Sequence, residues 1–369
     1  MNENMPAQPG APGNPAPVTT GTEPPAPPPP RILPAKKSPR SWSFWLAIFL
    51  AAGLALSLFI NMLLAAVVGG GGSGAGSYLQ EVVESGGPAK VVLIEVEGIL
   101  MDSAGGLFGG GPSIVDSTIK QLREASKDDS VKAIVLAVNS PGGGVSASDM
   151  LWNEVKKTRD AGKKVVVFMG ELCASGGYYL SAPADRIVAS PTTLTGSIGV
   201  ILTHMEHHEL EKYVGVKMNS IKSGPHKDIL SGSRKMTEEE RQILTKLVER
   251  MYERFVDIVI EGRKGKGKFP EAREDVKKIA DGRIYTGQEA VELGLADQTG
   301  YLEDAVTEAR KLAGAPNATL IKYTRPPSLL SALLGAQGER AVNINTGVQI
   351  DASRLLEAMT PRLEYRWQP

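Results

Sequence analysis

An uncharged apolar run from Ser41 to Val68 is the strongest constraint on how this chain folds. Leu, Ile, Phe and Ala fill most of its interior between Phe44 and Leu64. At about 1.5 Å of rise per residue, a helix of this length exceeds the ~30 Å hydrocarbon core of a bilayer. The run therefore predicts one transmembrane helix over residues 41–68 that tilts or extends into the interface.

The charges on either side of this run predict its orientation. Four basic residues lie within residues 31–40, whereas residues 69–88 carry only Glu81 and Glu84 as charged side chains. Because basic residues stay on the cytoplasmic side, we expect a single-pass cell membrane protein with a cytoplasmic N-terminus and an extracytoplasmic main domain. A cleaved signal peptide is the alternative, but the apolar run is too long and its leading segment too extended for one.

Composition divides the rest of the chain. Residues 1–40 are Pro-rich and predict a disordered cytoplasmic tail. Residues 69–88 begin with a run of Gly and Ser and predict a flexible linker. Residues 89–325 are patterned as a globular domain, and residues 326–369 form a C-terminal tail to which we assign no role.

Short apolar runs alternate with helical patterns through the globular part. The predicted strands are residues 91–96, 133–138, 165–169 and 186–189, and the predicted helices between them are 114–125 and 146–160, the latter opening on a Ser and Asp cluster that suits an N-cap. Farther on, a capping box at Thr237 opens a longer amphipathic helix. Alternation of this kind is typical of βαβ units, so we predict an α/β fold with a mainly parallel sheet flanked by helices.

Two of the predicted strands end in small-residue turns. Ser175, followed by Gly176 and Gly177, comes after one strand, and the triple glycine 142–144 comes after another. In a parallel sheet, ligands bind beyond the carboxyl ends of the strands, so both turns suit one shared site. A serine on such a turn can serve as a nucleophile, and glycine amides can stabilise an oxyanion.

A serine nucleophile needs a base that takes its proton. The segment 221–228 carries Lys222, His226 and Lys227 around a Ser-Gly-Pro turn. A lysine can act as that base near neutral pH when burial or a neighbouring cation lowers its pKa from about 10.4. Both lysines and the histidine of this segment are therefore candidates for the base.

Four segments in this order, at 138–144, 174–179, 194–200 and 221–228, resemble the signal peptide peptidase A family. These are membrane-bound Ser-Lys serine proteases of the Clp protease and crotonase superfamily, here in a short single-repeat form. The similarity runs from about Val91 to about Ala313. It implies a Clp protease/crotonase-like fold.

The resemblance also implies roles for individual residues. Ser175 corresponds to the family's nucleophile and Lys227 to its general base, with Lys222 the weaker candidate. The amides of Gly143 and Gly176 correspond to the oxyanion donors.

The same resemblance implies a substrate class and an assembly. The family degrades remnant signal peptides and other membrane-associated peptides. Its sites take the serine from one copy of the fold and the lysine from the next, so a chain with one copy is expected to form a homo-oligomer with sites shared between subunits. No metal or cofactor is implied.

Three other functions remain open from the sequence. The chain could cleave intact membrane proteins, such as stomatin-like partners. It could be a crotonase-like acyl-CoA enzyme that uses the glycine amides for a thioester, although that chemistry has no need of Ser175 or Lys227. It could also be a non-catalytic scaffold that keeps the fold.

The charge balance excludes nucleic acid as an expected partner. The chain has 41 basic and 41 acidic residues, and no basic run is long or unmixed. The most basic stretch, residues 263–268, is predicted to be a solvated loop.

One cysteine and a histidine cluster also need interpretation. Cys173 is the single cysteine, which excludes an intrachain disulfide; its apolar flanks predict a buried residue rather than a catalytic thiol. His204 and His208 have the spacing of metal ligands on a helix, but the start of a surface helix is the favoured interpretation.

Overall fold

The computed structural model of this chain describes residues 42–69, 78–102, 113–325 and 362–367. They belong to two compact units, Met1–Gly72 and Ser73–Pro369. The predicted N-terminal tail, residues 70–77 of the predicted linker and residues 326–361 of the predicted C-terminal tail lie outside the described residues.

The first unit contains one long helix. Helix α1 spans Trp42–Gly69, close to the predicted limits of 41–68. Within it, Trp42–Met62 is long and apolar enough to cross a membrane, judged by length and composition.

The second unit is an α/β domain. Its strands are β1 (Leu79–Glu84), β2 (Gly87–Glu97), β3 (Val131–Ser140), β4 (Gly142–Gly144), β5 (Lys164–Ala174), β6 (Arg186–Ala189), β7 (Leu194–Gly196), β8 (Ile201–Thr203), β9 (Ile284–Thr286), β10 (Gln298–Thr299), β11 (Ala318–Thr324) and β12 (Arg362–Arg366). Its helices are α2 (Ile114–Lys127), α3 (Val145–Asp160), α4 (Gly176–Ser181), α5 (His208–Val214), α6 (Glu238–Arg263), α7 (Arg273–Ile279), α8 (Gly287–Glu292) and α9 (Leu302–Leu312). Every strand and helix predicted above has a counterpart in these elements.

The main sheet is mostly parallel, as predicted. Its strand order is β1-β11-β2-β3-β5-β6-β10, and β7 pairs with the end of β5. Pairing is parallel from β11 through β10, whereas β1 is an antiparallel edge strand on β11. A second, small sheet has the order β4-β12-β8.

Helices cover both faces of the main sheet. In β2, Val92 and Ile94 belong to the larger core cluster with α2, α3, α4 and α6, whereas Val91 and Leu93 pack with α9 on the other face. A strand that is buried on both faces has apolar residues at successive positions. The central strands could therefore be predicted from the sequence.

Both outer segments of the domain contain strands that the sequence did not indicate. β1 lies within the segment predicted as linker, and β12 lies within the predicted C-terminal tail. The side chains of β1 are exposed along its whole length. An edge strand whose side chains are all exposed shows no apolar alternation, so it resembles a linker in sequence.

The predicted N-cap of α3 was wrong, and the prediction of a solvated loop at 263–268 holds for 264–268 but was wrong for Arg263. Helix α3 has Gly144 at its N-cap and no side-chain cap, because β4 runs directly into the helix. In the basic stretch 263–268, Arg263 is fully buried. Its guanidinium forms an ion pair with Asp297 at 3.0 Å, since the last turn of α6 packs against the chain at Ala182.

The capping box at the start of α6 is confirmed. The Thr237 side chain accepts a hydrogen bond from the Glu240 amide, and the Glu240 carboxylate accepts one from the Thr237 amide. The second half of α6 buries Phe255, Val256 and Val259 in the core. The second half of this helix therefore packs within the domain, whereas Ile243 and Leu247 in its first half are exposed.

Candidate active site

Ser175 occupies a sharp turn between β5 and α4. Its backbone has φ 52° and ψ −114°, outside the conformations that serine adopts readily. Such a conformation costs on the order of 1–3 kcal/mol and persists only where surrounding contacts enforce it. Here the Ser175 amide donates to the Gly196 carbonyl at 2.8 Å, which ties the turn to β7.

The Ser175 side chain does not cap the helix that it precedes. A serine at this position commonly accepts a hydrogen bond from the first turn, but no such bond is present. The residue is 1% exposed. Its hydroxyl is therefore not committed to holding α4, and the turn presents it at the carboxyl end of the sheet.

Close packing excludes side chains at the two glycines after the serine. A Cβ on Gly176 would overlap the Ser148 hydroxyl, and one on Gly177 would lie 2.9 Å from the Ser140 carbonyl oxygen. This approach brings α4 directly against the triple-glycine segment. The glycines therefore allow the start of α4 to pack against β4.

The triple glycine is a short strand rather than a flexible loop. The Gly142 carbonyl accepts from the Leu100 amide, and the Gly144 amide donates to the Leu100 carbonyl, both at 2.9 Å. Gly142 has φ 92°, and a Cβ there would lie 2.5 Å from the Gly176 amide nitrogen. The structure therefore brings β4 and the amide of Gly176 to one place beside Ser175.

Ser140 positions this segment, a role that the sequence analysis missed. Its buried hydroxyl donates to the Gly98 carbonyl at 2.6 Å and accepts from the Gly142 amide at 3.1 Å. Ser148 adds a second support, since its hydroxyl donates to the Gly144 carbonyl at 3.0 Å. The signal was present in the sequence, because both serines flank the glycine run.

Lys227 is not brought to Ser175 within one chain. Its side chain is exposed, and no hydrogen bond or ion pair joins it to Ser175 among the described residues. The Lys227 amide donates to the Gly224 carbonyl at 3.2 Å, so the residue sits on the predicted turn. Its assignment as the base stays a prediction.

Lys222 is engaged elsewhere. Its amine donates to the Asp228 carboxylate at 2.6 Å and to the Pro225 carbonyl at 3.0 Å. Hydrogen bonds from Arg234 and then Lys222 hold the pKa of Asp228 well below its usual range. An amine held in this ion pair is a poorer candidate for a base than Lys227.

His226 faces an acidic partner. Its Nε2 lies 3.5 Å from a carboxylate oxygen of Glu239.

Among the described residues, no group of three or more His, Cys, Asp and Glu side chains is arranged to hold a metal ion. The helix α5 begins at His208, as the surface-helix interpretation predicted.

Cys173 is buried, as predicted. Burial raises the pKa of its thiol to about 12. The thiolate is the nucleophilic form of cysteine, and it is scarce at neutral pH when the pKa is this high. This argues against Cys173 as the nucleophile.

Comparison with known proteins places the chain among peptidases. A family model described as Peptidase family S49 matches residues 157–316, and one described as Clp protease matches residues 111–193. Both matches favour a peptidase over an acyl-CoA enzyme.

Individual relatives carry related names. The chain is 37% identical over 252 residues to a protein of Enterococcus faecium described as a signal peptide peptidase, SppA; the match covers 68% of this chain and 72% of the relative. It is 38% identical over 258 residues to Protease 4 of Salmonella typhi, covering 69% of this chain but 40% of that protein. It is 29% identical over 287 residues to the chloroplastic serine protease SPPA of Arabidopsis thaliana, covering 76% of this chain and 41% of that protein.

Proposed function

Because this chain belongs to peptidase family S49 and is a serine peptidase, we propose that Ser175 is its nucleophile and that the Lys227 amine is its general base. One observation carries the proposal: the strained turn at Ser175 lies where Gly176 and β4 meet. A serine whose backbone is strained at the end of a strand, next to backbone amide donors, is typical of acyl-transfer sites.

The reaction follows from these groups. The Ser175 hydroxyl oxygen adds to the substrate carbonyl carbon while its proton passes to the Lys227 amine. The amides of Gly143 and Gly176 stabilise the oxyanion. The amine then returns the proton to the leaving nitrogen as the C–N bond breaks, and a water molecule hydrolyses the acyl-enzyme by the same steps in reverse.

We propose that the complete site forms between two copies of the chain. A lysine base needs an enclosed environment, whereas the Lys227 side chain is exposed in a single chain. The segment before it also exposes apolar side chains, among them Tyr213, Met218 and Ile221, at 89%, 64% and 104%. If a neighbouring subunit covers this apolar segment, Lys227 of the first subunit would lie against Ser175 of that neighbour.

We propose membrane-associated peptides, remnant signal peptides among them, as substrates. The α1 helix can span a membrane and precedes the peptidase domain in the chain. The E. faecium relative is described as a signal peptide peptidase. An extracytoplasmic domain with a cytoplasmic N-terminus agrees with the basic residues at 31–40.

Turnover of a fluorogenic peptide with a signal-peptide sequence tests the proposal. The full-length protein in detergent should cleave it, and Ser175→Ala and Lys227→Ala should each reduce kcat/KM by about 10³-fold or more. Lys222→Ala is the matched control, because it removes a lysine from the same turn. It should retain turnover within about tenfold.

Mixed assemblies test the shared site. Ser175→Ala subunits supply an intact lysine, and Lys227→Ala subunits supply an intact serine. Co-assembled from equal amounts, they should recover a measurable part of wild-type turnover, whereas each alone should not. Complete inactivity of assemblies shown to be mixed would refute a site that two subunits share.

A further inference from the structure

The turn that carries the proposed base, residues 222–228 and here called the lysine turn, is closed around one carboxylate. The Lys222 amine donates to the Asp228 carboxylate at 2.6 Å from one side. The Arg234 guanidinium donates to both oxygens of the same carboxylate from the other side, at 2.9 and 2.7 Å. Asp228 directly follows Lys227, so the groups that hold its side chain also restrain the backbone of the proposed base.

Arg234 joins the lysine turn to the start of α6. The same guanidinium donates to both carboxylate oxygens of Glu240, at 2.8 and 2.5 Å. Glu240 is 2% exposed and belongs to the capping box of α6, whose second half is buried in the core. Hydrogen bonds from Arg234 and from the Thr237 amide lower the pKa of the Glu240 carboxyl to about 2, so it stays charged. A planar guanidinium paired with two carboxylates restricts both their position and their orientation.

The backbone between the lysine turn and Arg234 is restrained at two further points. Leu230 has φ 71°, a conformation that a residue other than glycine keeps only where surrounding contacts enforce it. The Gly232 carbonyl accepts from the His207 amide at 2.8 Å, and a Cβ on Gly232 would overlap the Met205 carbonyl oxygen. The segment is therefore held in one conformation, and Arg234 connects it to α6.

A base that acts on a neighbouring subunit needs a fixed direction of approach. In the proposed function, Lys227 acts on the serine of another chain, so contacts within its own chain must set the direction of its turn. The Lys227 side chain is exposed, and its direction therefore depends on its backbone. A displacement of about 1 Å can lower the rate of a catalysed step by about 10²-fold.

We propose that Arg234 is a positioning residue for the Lys227 base. By binding Asp228 and Glu240 at once, its guanidinium fixes the lysine turn relative to α6 and sets the direction from which the amine reaches the serine of a neighbouring subunit. The inference rests on the proposed function. Lys222 cannot replace Arg234 in this role, because it lies on the lysine turn itself and closes the turn without joining it to α6.

Steady-state hydrolysis of the fluorogenic peptide by the full-length protein in detergent tests this role. Arg234→Met should lower kcat by about 10²-fold and leave KM within about threefold, because the base is misplaced while the peptide groove is unchanged. Arg234→Lys keeps the charge but lacks the planar fork, and it should lose only about tenfold in kcat. Arg241→Met is the matched control and should keep the wild-type kcat, since Arg241 is exposed and lies on the first turns of α6 outside this cluster.

A double variant tests whether Arg234 acts through Asp228. Asp228→Asn removes the charge with little change of shape and should also lower kcat. Residues that act as a unit have non-additive effects, so the variant with both Asp228→Asn and Arg234→Met should be no slower than the slower single variant. If the two losses multiply instead, Arg234 does not act through Asp228 and the inference is wrong.

Mixed assemblies separate positioning of the lysine from general damage to the fold. Arg234→Met subunits supply an intact serine, and Ser175→Ala subunits supply an intact lysine turn. In a head-to-tail ring formed at random from equal amounts, about one site in four combines the two, so about a quarter of wild-type turnover should return. Arg234→Met mixed with Lys227→Ala should recover nothing. If Arg234→Met does not assemble, Arg234→Lys takes its place in both mixtures.

The outcomes separate this inference from the proposed function. If Ser175→Ala and Lys227→Ala complement each other but Ser175→Ala does not rescue the Arg234 variant, Arg234 does not position the lysine and the proposed function stands. A wild-type kcat in Arg234→Met would overturn the inference in the same way. If Ser175→Ala and Lys227→Ala fail to complement in assemblies shown to be mixed, the shared site is refuted and this inference with it.

Discussion

Replacing Gly142 with alanine tests the geometry of the proposed oxyanion site. Gly142 has φ 92°, where an alanine is strained by on the order of 1–3 kcal/mol. Its new methyl group would also overlap the Tyr365 carbonyl oxygen of β12 and lie 2.5 Å from the Gly176 amide nitrogen, closer than Cβ atoms approach. Because β4 is held by Leu100 on its other edge, we expect the Gly176 amide to be displaced.

The size of the effect follows from what one oxyanion donor contributes. Loss of one such donor costs about 10²–10³ in kcat, or about 2.7–4 kcal/mol of transition-state stabilisation. We therefore expect Gly142→Ala to lower kcat for peptide cleavage by about 10²-fold or more. The backbone strain should also lower the free energy of unfolding by roughly 1–3 kcal/mol.

Gly144→Ala is the matched control for this substitution. Gly144 has φ −60°, and the nearest atoms to a Cβ there lie 3.8 Å away, an ordinary contact. Steady-state kinetics and thermal unfolding should show that this variant keeps turnover within about tenfold of wild type. If Gly142→Ala cleaves peptide as fast as Gly144→Ala, the amides of β4 and Gly176 do not form the oxyanion site as argued.

The remaining predictions concern the core. Arg263→Met should destabilise the domain by about 3 kcal/mol in denaturant unfolding, because the buried Asp297 carboxylate loses its buried partner and keeps only the longer contact with half-exposed Arg186, at 3.5 Å, as an ion pair among the described residues; the double variant with Asp297→Leu should lose less. Burial raises the pKa of Asp297, but the hydrogen bond and charge of Arg263 outweigh it and keep the pKa below its usual range. The stability from this pair is therefore present above about pH 3.9 and is lost as the pH falls further, so the difference between wild type and Asp297→Asn should shrink there. Because burial raises the pKa of Cys173 to about 12, iodoacetamide at pH 8 should leave peptide turnover intact and label the thiol only after unfolding.

Local signals made much of the fold and site predictable. The central strands β2, β3 and β5 were evident because strands buried on both faces are apolar along their length. The turn at Ser175 was evident because glycines are required where a helix packs closely against β4. The capping box at Thr237 was evident because its two partners lie three residues apart. In each case the residues that determine the local structure lie within or next to it in the sequence.

Tertiary structure alone decided the features that join distant residues. Arg263 reads as part of a solvated basic run, yet it is buried because Asp297 and the last turn of α6 meet across the domain. β12 carries no strand pattern, and its place depends on β4 and β8, which lie far earlier in the chain. Backbone pairing of this kind depends on which strand edges the fold leaves open, and no short stretch of residues encodes that. The sequence by itself therefore determined the turn that carries Ser175, whereas the tertiary structure decided that Tyr365 lies beside it.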